Sequence, residues 1–125
     1  MAKIASFTDL EAWKEGHKLV LLIYRTAPDF PKDEMFILTS QLRRAAISIT
    51  SNIAEGFSRI SYKDKIRFYY MALGSVTELQ NQLLVARDLG YLKDKAFHQI
   101  SALSVREHKL LNGLIKSSKT RIGNN

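Results

Sequence analysis

The sequence predicts an all-α protein, an antiparallel four-helix bundle with up-down-up-down topology. Apolar residues recur at steps of three and four along four long segments, as they do on the buried face of a helix. Connections of about three to six residues join the segments and place consecutive helices side by side. Only two prolines and six glycines occur, too few for the many turns of a β-protein. We expect one domain over residues 1–125, with helices at residues 9–27, 32–56, 62–89 and 94–117.

The composition is that of a single globular domain, with 46% hydrophobic and 25% charged residues. The chain contains no cysteine, which excludes disulfides and thiolate metal sites. Its first residues lack the apolar core of a signal peptide, and the longest apolar run, Leu19–Tyr24, is far too short to cross a membrane. We therefore expect a cytoplasmic protein with no membrane partner.

The first helix is expected to begin at Thr8 or Asp9, because either side chain can cap free amide groups. Its apolar face is predicted to consist of Leu10, Trp13, His17, Val20 or Leu21, and Tyr24. Pro31 fits the start of the second helix, since proline is accepted in a first turn and cannot continue a preceding one. Asp33 and Glu34 then place negative charge at the positive end of the helix dipole.

The second helix carries two stripes of different character. The apolar stripe consists of Leu38, Leu42, Ala46, Ile49 and Ile53. About 100° around the helix axis lies a polar stripe, made of Gln41, Arg44, Ala45, Ser48, Asn52 and Glu55. Small, hydrogen-bonding side chains in a row favour a second close contact, within the chain or with another subunit, although a solvated flank gives the same pattern. Gly56 is expected to end the helix in the left-handed conformation.

The third helix is predicted to start after Ser61, which with Asp64 resembles a capping box, and to stop at Gly90. Its expected apolar face is Ile66, Tyr70, Leu73, Thr77, Gln80 and Leu84, widened by Tyr69, Val76 and Leu83. Gly74 lies beside this face, where either the close approach of another backbone or simple tolerance explains a glycine. The fourth helix is predicted to bury Phe97, Ile100, Ser104, His108, Leu111 and Ile115.

Arg44 on the second helix has a predicted partner on the third. Antiparallel pairing about the connection near Arg59 brings Arg44 opposite the stretch from Gly74 to Glu78. We therefore predict an ion pair or hydrogen bond between Arg44 and Glu78, within a polar network that also includes Gln41, Ser48, Asn52 and Glu55. The competing interpretation assigns Arg44 to a subunit boundary, where its planar guanidinium suits bidentate contacts.

Several segments of the chain resemble a known family. They are Phe7–Trp13, Phe30–Pro31, Leu38–Ala46, Ser48–Gly56 and Gly74–Leu79. Together they resemble the four-helix-bundle proteins encoded in intervening sequences of bacterial 23S ribosomal RNA genes. The match covers residues 7–92, with Ser48–Gly56 its most specific part, whereas the fourth helix matches only in length and pattern.

The resemblance implies a bundle that assembles into a ring, commonly a homopentamer. Relatives with this architecture act beside the reverse transcriptases of diversity-generating retroelements, where a basic surface is thought to engage nucleic acid. The family name records a genomic location and states no activity. The resemblance therefore predicts the function of this chain less strongly than its fold.

Charge is concentrated at one end of the predicted bundle. The net charge is +7, and the antiparallel topology gathers eight cations in what we call the basic end: Lys3, Arg59, Lys63, Lys65, Arg67, Lys116, Lys119 and Arg121. Four acids oppose them: Asp9, Glu11, Glu55 and Asp64. The basic end other than Lys3 is our candidate nucleic-acid contact, since phosphate backbones attract lysine and arginine. Phe57, Tyr62, Phe68 and Tyr69 offer stacking surfaces for bases, or else cap the bundle core.

No catalytic or metal-binding pattern stands out in the sequence. The di-iron carboxylate bundles need a histidine three residues after a glutamate on each of two helices, and no glutamate here has one. His17 and His108 fall on the predicted apolar faces and form at most a weak metal signal without carboxylate or thiolate partners. The glycines do not form a phosphate-binding loop, and no histidine is placed to activate a serine. We expect no enzyme, no metal and no cofactor.

Two functions are compatible with these patterns. The first is an oligomeric bundle that binds RNA or a ribonucleoprotein through the basic end. The second is a protein–protein assembly scaffold in which the basic charge is incidental. Salt-sensitive binding of RNA distinguishes the first from the second.

Overall fold

The computed structural model of the protein describes residues 3–123 and contains four long helices. They are α1 (Glu11–Thr26), α2 (Leu38–Ser58), α3 (Tyr62–Asp88) and α4 (Asp94–Lys119). Three short 3₁₀ turns, Phe7–Asp9, Ala27–Asp29 and Lys32–Glu34, lie before α1 and between α1 and α2. The described residues contain no strand, so the predicted all-α class is confirmed.

The four helices pack into a bundle around one main core. Helix α2 packs against α1 and α3, and α4 packs against the same two helices. Every residue of the predicted apolar stripe of α2 is buried, from Leu38 to Ile53. The centre of the core consists of side chains that are almost fully buried: Leu19, Ile23, Leu42, Ile49, Ile53, Val76, Leu79, Leu83, Ile100 and Leu111.

Helix α2 begins later than the sequence predicts, at Leu38 rather than residue 32. Ile37 has φ −120° and ψ −98°, which lies outside the helical region and separates α2 from the turn at Lys32–Glu34. Asp33 and Glu34 therefore belong to that turn and do not stabilise the first turn of α2. Between them and α2, the apolar segment Met35–Ile37 is exposed to solvent.

The helix ends confirm some of the predicted caps and correct others. The Ser61 hydroxyl accepts a hydrogen bond from the Asp64 backbone N–H at 3.1 Å, so Ser61 caps α3 as expected. Gly90 has φ 80° and ends α3 in the left-handed conformation. Gly56 is instead a helical residue inside α2, which continues to Ser58. At the N-terminus, Asp9 accepts hydrogen bonds from the backbone amides of Ala5 and Ser6, and it precedes α1 rather than capping it.

The predicted faces of α1 and α3 are rotated from the true ones. In α1 the buried residues are Ala12, Glu15, Gly16, Leu19 and Ile23, whereas His17 and Tyr24 are exposed. In α3 the residues expected to widen the face, Tyr69, Val76 and Leu83, form its centre with Ala72 and Leu79. Tyr70 and Leu84, expected in the core, are 46% and 43% exposed. Both helices carry apolar residues on more than one side, so periodicity alone does not select the packed side.

Candidate nucleic-acid interface

The end of α2, the start of α3 and the end of α4 meet at one end of the molecule. Lys65 Nζ donates a hydrogen bond to the carbonyl oxygen of Phe57 at 2.6 Å, which ties α3 to the last turns of α2. Arg121, just after α4, lies 3.4 Å from the Tyr62 hydroxyl oxygen and 5.8 Å from its ring centre. Lys119 lies 5.3 Å from the centre of the Tyr70 ring. Cations that are distant in sequence are thus brought to the same end.

Two of the predicted contact residues form ion pairs with acids three or four residues before them in the sequence. Arg59 Nη2 lies 2.7 Å from the Glu55 carboxylate, and Arg67 Nη2 lies 3.1 Å from that of Asp64. Both guanidinium groups also lie against the ring of Phe68, at 4.6 Å and 4.7 Å from its centre. These two arginines cover an aromatic side chain and are less available to phosphate than the lysines around them.

The other cations of the basic end have no acidic partner among the described residues. Within residues 3–123, the following side chains have no carboxylate within 4.0 Å: Lys3, Lys63, Lys65, Lys116, Lys119 and Arg121. Asp9, one of the four opposing acids, is occupied by the backbone amides of Ala5 and Ser6, which lower the pKa of its carboxyl group. The positive charge of this end is therefore carried mainly by these six side chains.

The aromatic residues of this end divide into two groups. Phe68 and Tyr69 are buried, with 8% and 2% of their surfaces exposed. This agrees with the alternative in which these residues cap the bundle core. Phe57 and Tyr62 are half-buried. Tyr69 fits closely because Gly56 has no side chain: a Cβ added at Gly56 would lie 2.8 Å from Cε1 of the Tyr69 ring. Gly56 is thus required by close packing and not by backbone conformation.

A groove of about 390 Å³ opens at this end. It is lined by residues of α2, α3 and α4 together with the segment before α1 and the residue Arg121 after α4: Ile4, Leu10, Phe57, Tyr62, Lys65, Tyr69, Leu114, Ser117, Ser118 and Arg121. None of these described lining residues is acidic. The sequence did not predict the groove, because its walls come from separate stretches of the chain.

Among the described residues, the polar stripe of α2 makes one side-chain hydrogen bond to α3. The hydroxyl groups of Ser48 and Ser75 are 2.8 Å apart, and Asn52 Nδ2 donates to the Ser48 carbonyl and hydroxyl oxygens at 2.9 Å and 3.1 Å. The predicted pair of Arg44 and Glu78 is not formed, since their charged groups do not come within 4.0 Å. Both side chains are exposed, and Glu78 accepts a hydrogen bond from Gln82 Nε2, one turn away on its own helix.

The remaining members of the polar stripe face solvent or the core. Gln41 and Glu55 are exposed, and Ala45 is buried with the apolar residues. Gly74, next to Ser75, has no described atom within 4 Å of the position that a Cβ would occupy. Within residues 3–123, therefore, no backbone approaches Gly74 closely.

The sequence also missed two buried glutamates between α1 and α4. Glu107 is fully buried in place of the expected His108, and neither of its carboxyl oxygens has a hydrogen-bond partner among the described residues. Glu15 is bound by Arg106 Nε at 2.6 Å and by Lys18 Nζ at 3.0 Å. Glu107 lies at helical spacing between Ser104 and Leu111, so the periodicity places it on the buried face of α4. Full burial of a charged residue is rare, which is why the pattern alone does not predict it.

The two histidines singled out in the sequence have local partners. His17 stacks on Trp13, with ring centres 4.7 Å apart, and His108 is hydrogen-bonded to Asn112 at 3.2 Å. In the part of the chain that the structure describes, no three His, Asp or Glu side chains are grouped so that they could hold a metal ion. No helix within residues 3–123 is long and apolar enough to cross a membrane.

The family model described as 23S rRNA-intervening sequence protein matches residues 8–113. The chain belongs to that family. The resemblance noted in the sequence is thereby confirmed, and it extends through most of α4. A solved structure from the S23 ribosomal protein family of Bacteroides thetaiotaomicron, described as a protein of unknown function, has the same fold with a TM-score of 0.78. That protein and this family member are 23% identical, and the similarity covers 84% of this chain and 98% of the other. None of the curated proteins is a significant match.

Proposed function

We propose that this family member is a non-enzymatic, antiparallel up-down-up-down bundle that binds RNA or a ribonucleoprotein through its basic end. One observation carries the proposal: Lys63, Lys65, Lys116, Lys119 and Arg121 gather at one end without acidic partners in the described chain. A phosphate backbone neutralises such a group and releases its own counterions, which is a favourable exchange at moderate salt.

The proposal includes assembly into a ring, as the family resemblance implies, with five chains as the expected number. In a ring the basic end of each chain repeats around the axis, and the repeated cations form one broad positive face. The α2–α3 face supports this assembly, because Gly74 leaves its backbone open and Tyr70, Met71, Leu84 and Val85 are each more than 40% exposed. Equilibrium sedimentation measures the number of chains directly, and a monomer mass would contradict the ring.

RNA binding is tested by the salt dependence of affinity for a labelled single-stranded RNA. A variant with Lys63→Gln, Lys116→Gln and Lys119→Gln removes three charges of the basic end that have no acidic partner within residues 3–123. We expect weaker binding and a salt slope reduced in magnitude by about 2, at about 0.7 for each phosphate that is no longer neutralised. The matched control is Lys32→Gln, Lys93→Gln and Lys95→Gln, which removes the same charge from exposed positions elsewhere and should keep the slope of the native protein.

The second candidate function is a protein–protein assembly scaffold, favoured by the exposed apolar side chains of α3. It predicts a stable oligomer that binds no RNA at low salt, where electrostatic attraction is strongest. Equal losses of affinity in the two triple-lysine variants would instead contradict the placement of the RNA contact at the basic end, because they would show that only net charge matters.

A further inference from the structure

The groove at the basic end combines apolar walls with cations and hydroxyl groups. We propose that it takes one unpaired base of a single-stranded RNA, with the adjoining phosphate held by Lys65 and Arg121. This inference rests on the proposed function and adds to it a reason why single strands are preferred to duplexes. Its volume of about 390 Å³ falls within the range of small-ligand sites, about 300 to 1,000 Å³.

The walls of the groove suit the flat, apolar faces of a base. Phe57 and Tyr62 are half-buried and line the groove, with Lys65 Nζ at 5.2 Å and 5.8 Å from the centres of their rings. Leu10 and Leu114 supply aliphatic surface beside them. Aromatic side chains bind unpaired bases by stacking, which every base can do because each has two π-faces.

Tyr69 gives the groove a polar group without a partner in the described chain. Tyr69 lines the groove and is 2% exposed, and its hydroxyl group makes no hydrogen bond within residues 3–123. Burial and the neighbouring Tyr62 raise the pKa of the Tyr69 hydroxyl to about 12. The hydroxyl therefore keeps its proton at any physiological pH and can donate to a ring nitrogen or carbonyl of a base as well as accept from an amino group.

The two cations of the groove have hydrogen-bonding capacity left for a phosphate. Lys65 uses one ammonium N–H on the Phe57 carbonyl, and an ammonium has three. Within residues 3–123, the Arg121 guanidinium donates one long side-chain hydrogen bond, of 3.4 Å to the Tyr62 hydroxyl, and a guanidinium has five N–H donors. Because none of the described residues lining the groove is acidic, a bound anion meets no repulsion from these walls.

Duplex RNA cannot use this groove. Its bases are stacked and paired, so a helix presents phosphates, 2′-hydroxyl groups and base edges to a protein surface and keeps the faces of its bases covered. Single-stranded loops and ends, in contrast, can turn a base outward at little cost. The expected result is a preference for single-stranded over duplex RNA of equal length and charge.

The first test uses nucleotides and needs no RNA binding. Each of the four nucleoside 5′-monophosphates, and ribose 5-phosphate as a control without a base, is titrated into the ¹⁵N-labelled protein. We expect saturable shifts in the amide signals of Tyr62, Lys65, Ser117 and Ser118 with at least one nucleotide, and much smaller shifts with ribose 5-phosphate. Equal shifts with both compounds, or none with either, would overturn the inference.

The second test fills the groove. Ser117→Phe adds an aromatic ring at an exposed position that lines it, and Ala102→Phe adds the same ring at an exposed position of α4 outside it. We expect Ser117→Phe to lower the affinity for single-stranded RNA by about tenfold, the effect of losing one stacked base. Affinity for a duplex of the same length should not change in either variant.

The outcomes separate the two proposals. If the native protein binds neither single-stranded nor duplex RNA, the proposed function is wrong, and the nucleotide titration alone decides the groove. A different outcome is that the native protein binds single-stranded and duplex RNA equally well, with the same loss of affinity or no loss in the two phenylalanine variants. In that case RNA binding stands and the groove has no part in it. Tyr69→Phe, which removes only the hydroxyl, should change the order of affinities among the four nucleotides.

Discussion

Gly56 and Gly16 each leave room for a side chain of a neighbouring helix, in two different regions of the bundle. The two contacts differ in how they affect the stability of the fold. At the α2–α3 contact, Gly56 leaves room for the ring of Tyr69, and at the α1–α4 contact Gly16 leaves room for the carboxyl group of Glu107. A Cβ on either glycine would overlap that neighbour. The first pocket is filled by an apolar ring, whereas the second is filled by an ionisable group with no hydrogen-bond partner among the described residues.

The difference shows that close packing does not by itself stabilise a contact. Burying the Tyr69 ring removes apolar surface from water, which stabilises the fold. Burying Glu107 removes a carboxyl group from water, so its pKa rises to about 8, with the charge of Glu15 adding to the shift. Glu15 itself has its pKa lowered by Lys18 and Arg106. We therefore expect mutations in the two regions to differ in sign and in pH dependence.

The largest effect is expected at Gly56. Gly56→Val should destabilise the protein by about 3 kcal/mol, because the added side chain would overlap the ring of Tyr69 and the Cβ of Phe68. Urea unfolding followed by circular dichroism measures the change. Gly74→Val is the matched control, since no described atom lies within 4 Å of its Cβ position, and it should leave the stability of the isolated chain unchanged or slightly higher. Equal losses in the two variants would contradict a specific role for the close contact between Gly56 and Tyr69.

An intermediate effect of opposite sign is expected at Glu107. Glu107→Gln should stabilise the protein by about 2 kcal/mol near pH 8, because the amide has the same shape and does not ionise. In the protein without the substitution, Glu107 is protonated in both the folded and the unfolded state below its ordinary pKa of 4.5. Between that value and its folded pKa of about 8, only the unfolded chain loses the proton, so the free energy of unfolding falls as pH rises through this window.

The measurement is the free energy of unfolding of the native protein and of Glu107→Gln from pH 4.5 to 9. The two curves should coincide at the acid end and separate toward the alkaline end. Glu15 contributes the opposite slope, since a lowered carboxyl pKa stabilises the fold above its unfolded value and the benefit is lost on acidification. Parallel curves would show that folding does not raise the pKa of Glu107.

The smallest effect is expected at Gly16. Gly16→Ala should cost about 1 kcal/mol, because the Glu107 carboxyl is the end of a flexible chain and can give way more easily than a ring. In a Glu107→Ala background the same substitution should become neutral or stabilising, since the overlapping group is gone. A double-mutant cycle measures this coupling. Additive effects would place the cost of Gly16→Ala at Thr50, whose Cγ2 lies 3.1 Å from the added Cβ.

The sequence predicted the faces of α2 and α4 better than those of α1 and α3. The reason lies in how apolar residues are distributed around each helix. In α2 the apolar stripe is bordered by serine, threonine, asparagine and arginine, so a single face is available for burial. In α3, Tyr70, Met71, Leu84 and Val85 are apolar and exposed, and the periodic pattern fits two sides equally well.

The candidate site was predictable in its charges and not in its shape. The end of α2 and the start of α3 are adjacent in sequence, so Arg59, Lys63, Lys65 and Arg67 had to lie together. Which of them are neutralised depends on acids one turn away, and the pairing of Arg59 with Glu55 and of Arg67 with Asp64 was not predicted. The predicted pair of Arg44 and Glu78 would join two exposed side chains, and Glu78 instead accepts a hydrogen bond from Gln82 on its own helix.

By itself the sequence determined the four helices, their family and the concentration of positive charge toward one end. These follow from the spacing of apolar residues and from short connections, both of which are properties of neighbouring residues. Only the tertiary structure decided which sides of α1 and α3 are buried and that a groove opens beside Tyr69. It also explains why positions 16 and 56 are occupied by glycine. Each of these depends on the shapes of side chains that meet from distant parts of the chain, and no local pattern encodes such a meeting.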